Sequence, residues 1–74
     1  MNNDPKERQR IEQELKNLQA TRNQYANARD RSRDLAKHYG NNHPTGQHAE
    51  REAEEYNRKI ERLDRDISSL TSRL

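Results

Sequence analysis

Apolar residues recur at heptad spacing in two separate stretches of this chain. In the second half Ala53, Ile60, Ile67 and Leu74 stand seven residues apart, with Ala49, Tyr56, Leu63 and Leu70 between them at alternating gaps of three and four. In the first half Ile11, Leu18, Tyr25, Ser32 and Tyr39 form one row, and Thr21, Ala28 and Leu35 form a second. Such spacing places each set on one face of an α-helix and reads as a narrow seam between two helices. The stretches are separated by Gly40-Asn41-Asn42-His43-Pro44-Thr45-Gly46, a run that interrupts helices. The pattern predicts an all-α fold, a two-helix antiparallel coiled-coil hairpin. It forms one unit over 1–74, with helix 1 at about 5–39, a turn at 40–46 and helix 2 at about 46–73.

Folding the chain about that turn sets opposite each other residues whose numbers sum to 88. Leu18 then meets Leu70, Tyr25 meets Leu63, Ala28 meets Ile60, Ser32 meets Tyr56, Leu35 meets Ala53 and Tyr39 meets Ala49. Large residues face small ones near the tip, as interdigitating layers require. The register sets Arg22 near Asp64 and His38 near Glu52, and it brings Arg31 and Lys59 together unfavourably. It also leaves helix 1 overhanging. Ile11 is expected to lack a partner, Glu14 to face Leu74, and Leu15 to fall on the flank of the seam.

Local signals agree with two helices. Asp4-Pro5-Lys6-Glu7 combines a cap, a proline at the first helical position and a glutamate placed for a capping box. Gly40 suits a C-cap, and Thr45 is the expected cap of helix 2. Glu54/Arg58, Glu55/Lys59 and Glu61/Arg65 are expected to brace helix 2 as i,i+4 pairs in the favoured order.

Composition alone points away from a folded domain. Only 26% of residues are hydrophobic, against roughly 45–50% in an average domain, and 38% are charged. The periodicity outweighs this, because scarce apolar residues set in one stripe still build a seam. A core this thin implies marginal stability or help from a partner. The stripe, about two positions in seven, suits a two-stranded seam better than a four-helix bundle. The net charge of +2 carries no bulk attraction to nucleic acid. There is no cysteine, so disulfide and thiolate chemistry are excluded. No run resembles a signal peptide or membrane span, so a cytoplasmic location without membrane contact is expected.

Four features can carry function. Ile11 and Leu15 on the overhang are the first candidates for binding a partner, since burying them would add apolar contact that the core lacks. A basic band of Arg29, Arg31, Arg33, Arg58, Lys59 and Arg62 offers guanidinium groups to phosphate or acidic protein, although interleaved acids make a solvated surface the plainer reading. His38, His43 and His48 frame the turn. Their i,i+5 spacing is not that of helical metal motifs, so metal binding ranks a distant third. The tip itself can contact a partner, as turns on rigid arms often do. No nucleophile–base arrangement, phosphate loop or metalloprotease motif is present, and neither metal nor cofactor is implied. The expected function is a non-enzymatic protein–protein interaction module: an adaptor, co-chaperone or small inhibitor. Another protein is the expected partner and self-association is allowed for. A nucleic-acid-binding hairpin using the basic band is the alternative.

Overall fold

Asp4 starts the first helix as its sequence implies. Its side chain accepts a hydrogen bond from the Lys6 backbone N–H at 3.0 Å, and Pro5 follows at the first helical position. In the computed structural model, which describes residues 4–74, α1 runs from Pro5 to Tyr39 and α2 from Pro44 to Thr71. Both are α-helices and they pack against each other as an antiparallel hairpin. The hairpin is long and thin, 56 × 15 × 11 Å.

The turn is tighter than the sequence implies. Gly40 closes α1, with φ 81° and ψ 168°, and its N–H donates to the Ala36 carbonyl at 2.8 Å. That region of the backbone map is essentially reserved for glycine. Only Asn41, Asn42 and His43 separate Gly40 from α2. Pro44 opens α2, where its missing N–H costs nothing. The cap is His43, not Thr45: the imidazole Nδ1 accepts from the Thr45 N–H at 3.1 Å. Gly46 is helical and buried, pressed against the backbone of Gly40.

A shorter turn moves the register. The fold is centred near Asn42 and His43 instead of Pro44, so α2 sits about three residues, close to one helical turn, lower on α1 than the 88-sum pairing. In this register Tyr25 stands level with Ile60 and Ser32 with Ala53. Contacts straddle those levels: Arg29 reaches Asn57, Ser32 reaches Glu52, and Lys59 lies over the Tyr25 ring. The α2 row is the one read from the sequence, with Ala49, Ala53 and Ile60 buried and Tyr56, Leu63, Ile67 and Leu70 half-buried. On α1 the row of Ile11, Leu18, Tyr25 and Ser32 is retained, flanked on one side by half-buried Thr21 and Ala28 and on the other by half-buried Leu15, Arg22, Arg29 and Ala36. Leu35 and Tyr39, expected against Ala53 and Ala49, are 44% and 43% exposed.

The open end changes accordingly. Ile11 is 4% exposed and belongs to the core, and Leu15 is half-buried. The slip takes up about three residues of the predicted overhang, and the long Arg73 side chain spans further, its Nη2 reaching Glu7 Oε1 at 3.2 Å. The Glu7 carboxylate also pairs with Arg10 at 3.6 Å. None of the three i,i+4 pairs expected to brace α2 closes among the described residues. Lys59 instead places its ammonium 5.4 Å from the Tyr25 ring centre and 5.6 Å from that of Tyr56, within cation–π range. Those two rings are 5.9 Å apart.

Candidate functional site

The tip is the most differentiated part of the surface. Leu35 and Tyr39 lie in the last two turns of α1 and are left outside the seam by the slip in register. The Tyr39 ring is held between two imidazoles. His38 meets it edge-on at 5.1 Å and His43 lies tilted against it at 4.8 Å. His43 is itself fixed by its cap bond to Thr45. Below them, Gln47 Nε2 donates to the Asn41 carbonyl at 2.8 Å and ties the turn to α2. Tyr39 is thus an exposed aromatic on a braced turn, with its phenol at the end of the arm.

The three histidines do not converge. His38 stacks on Tyr39, His43 caps, and His48 Nε2 lies 2.9 Å from Glu52 Oε1. The partner expected for Glu52 was His38; its partner is His48, one helical turn earlier on α2. No group of three or more His, Asp or Glu among the described residues is arranged to hold a metal ion.

The basic band is dispersed by helix geometry. Residues two apart on a helix point roughly 200° apart, so Arg29, Arg31 and Arg33 alternate between opposite flanks. Arg29 is half-buried and bonds Asn57 at 3.0 Å and Asp30 at 3.3 Å. Lys59 is engaged on the tyrosine rings. Arg31, Arg33, Arg58 and Arg62 remain exposed, with no ion pair among the described residues. The three α1 arginines therefore share no single face, while Arg58 and Arg62 lie one turn apart on α2.

One flank of the seam near the tip forms a shallow groove. Its floor is Ala36, Ala53 and Gly40; Arg33 and Lys37 stand on the α1 side, and Glu50, Glu54 and Asn57 on the α2 side. Further from the tip, the expected Arg22–Asp64 bridge is formed, with a second contact from Arg22 Nη2 to Asp64 Oδ2 at 3.4 Å. The hydrogen bond to Asp64, and then its charge, hold the Arg22 guanidinium above its ordinary pKa. Asp64, Asn57 and Glu50 stand seven residues apart and run along one edge of α2. The groove was not legible in the sequence, because its walls are set by which α1 row enters the seam.

Ser32 is buried and donates to Glu52 Oε2 at 3.4 Å. It is a small polar member of the core with no histidine partner. No helix among the described residues is long and apolar enough to cross a membrane. Compared with protein-family models, curated proteins and solved structures, the chain matches none of them.

Proposed function

We propose that this chain is a non-enzymatic protein-interaction module that contacts its partner with the hairpin tip, in the manner of a small adaptor, co-chaperone or inhibitor acting in the cytoplasm. One observation carries the reading. Leu35 and Tyr39, 44% and 43% exposed, stand together where α1 meets the turn, while at the other end Ile11 is buried and Leu74, 46% exposed, stands singly beyond the end of α2. Apolar side chains left in water stabilise nothing, and an aromatic anchor beside an aliphatic one is the usual centre of an interface hot spot. The braces on Tyr39 limit the entropy lost on docking. The pairing of His48 with Glu52, the cap of His43 and the burial of Ser32 give these groups structural contacts, which supports a non-enzymatic reading. The dispersal of Arg29, Arg31, Arg33, Arg58, Lys59 and Arg62 favours protein over nucleic acid as the partner.

The test uses the full chain as bait in lysate from its source cell. Leu35→Asp with Tyr39→Asp should keep the helical circular dichroism of the parent and lose the recovered protein. Nuclease should leave recovery unchanged. Recovery that survives the double substitution moves the site elsewhere. Recovery that disappears with nuclease and falls steeply with salt identifies a nucleic-acid hairpin instead, since phosphate contacts release counterions and apolar docking does not.

A further inference from the structure

The groove flank carries a charge pattern that the interior of the hairpin does not use. Arg33 and Lys37 line it from α1, and Glu50 and Glu54 line it from α2. None of the four makes an ion pair or side-chain hydrogen bond among the described residues. The floor between them is made of Ala36, Ala53 and Gly40, which lets another backbone approach closely. Basic and acidic edges thus run side by side along two antiparallel helices.

That pattern is complementary to itself under one operation. A two-fold axis parallel to the long axis of the hairpin, lying in the plane of contact, sets two copies face to face with their tips at the same end. It lays α1 of each copy over α2 of the other. Arg33 and Lys37 of one copy then face Glu54 and Glu50 of its partner, and the same contacts recur on the other side of the axis, as an isologous interface requires. The alternative axis, across the hairpin, would set α1 on α1 and basic edge on basic edge. We propose that this flank is a dimer interface between two copies of the chain, in parallel tip-to-tip alignment. Size permits it. A molecule 56 Å long and 15 Å across presents a face comparable with the roughly 800 Å² that each partner gives to a standard interface. Leu35 falls two positions from Arg33 and Lys37, on the other flank of α1, so dimerisation leaves the proposed docking surface free and doubles it.

Sedimentation equilibrium of the full chain over a concentration series tests the proposal, with circular dichroism to confirm that every variant stays helical. The parent chain should self-associate, less tightly as salt rises. Arg33→Glu with Lys37→Glu, and separately Glu50→Lys with Glu54→Lys, should each weaken self-association by about tenfold or more, because every cross-copy attraction becomes a repulsion. Mixing the two variants should restore association as a one-to-one pair, each edge again facing its opposite. Arg31→Glu with Arg62→Glu makes the same change in net charge as the first variant, at positions outside the groove lining, and should leave the parent's association unchanged. A chain that stays monomeric throughout overturns the proposal. So does self-association indifferent to the groove variants, equally weakened by the control, or not restored in the mixture. None of these results depends on whether Leu35 and Tyr39 bind another protein.

Discussion

Gly46 shows a residue whose context reverses its usual effect. A glycine inside a helix ordinarily costs about 0.5–1 kcal/mol relative to alanine. Here a Cβ at position 46 would overlap the Gly40 carbonyl oxygen and come 3.0 Å from its carbon. Those atoms are backbone, held by the bond from Gly40 N–H to Ala36 and by the left-handed φ of 81°. Gly46→Ala is therefore expected to destabilise the hairpin by about 1–3 kcal/mol, the range for overpacking, and a thermal melt followed by circular dichroism should shift down by several degrees. A melt raised by the substitution would mean that α2 does not approach Gly40 this closely. His43 depends on context in a similar way. Its Nδ1 does the work usually left to Ser, Thr, Asp or Asn at a cap, and its ring serves Tyr39 at the same time.

Between elements, the decisive quantity is register. Heptad rows specify that two helices pack through a stripe, but a slip that exchanges one row for its neighbour keeps the stripe and changes the partners. On α1 the row of Thr21, Ala28 and Leu35 competed with that of Leu15, Arg22, Arg29 and Ala36. The second row enters the seam along its whole length, helped by Arg22 on Asp64 and Arg29 on Asn57 and by the burial of Ile11, while Thr21 and Ala28 of the first stay half-buried. Leu35 is the apolar residue given up. The consequence is measurable by paired cysteines. Ser32→Cys with Ala53→Cys should form a disulfide within one molecule more readily than Ser32→Cys with Tyr56→Cys, the pair that the 88-sum register sets opposite. The reverse order, read on a reducing and non-reducing gel of dilute protein, would restore that looser register.

At the scale of the molecule, the hairpin is short of interior. Its accessible surface of 5953 Å² exceeds the roughly 4,800 Å² expected for a compact monomer of 8.8 kDa. No large side chain is completely buried among the described residues. The Cα radius of gyration, 16.9 Å, is likewise well above the roughly 11 Å of a globule of this length. Small-angle scattering distinguishes the states that such a shape allows. A dilute monomer should give a radius of gyration near 16.9 Å. Association through the groove flank should thicken the cross-section with little change in length, because both copies lie along one axis. A rise in maximum dimension toward twice the 56 Å length would show end-to-end association instead.

What the sequence determined by itself is the pair of helices, their antiparallel return, the α2 stripe from Ala49 to Leu70, the cap at Asp4 and the Arg22–Asp64 bridge; Leu74, also read into the stripe, lies beyond α2 and is exposed. These follow from local chemistry and from periodicity, which a single chain displays without its partner. The tertiary structure decided everything that depends on the length of the turn. Pro44 and Gly46 read as breakers, yet proline is at ease at the first helical position and glycine is needed where α2 touches Gly40. Drawing both into α2 shortens the turn, and the shorter turn moves every cross-helix pair. It buries Ile11, exposes Leu35 and Tyr39, and opens the groove between Arg33 and Glu54. The candidate surfaces thus lay outside what the pattern could show. Thr21, Arg22, Ala28 and Arg29 are all half-buried, so the two α1 rows part company only near the tip, where Ala36 is drawn in and Leu35 left out beside the close approach of Gly40 and Gly46.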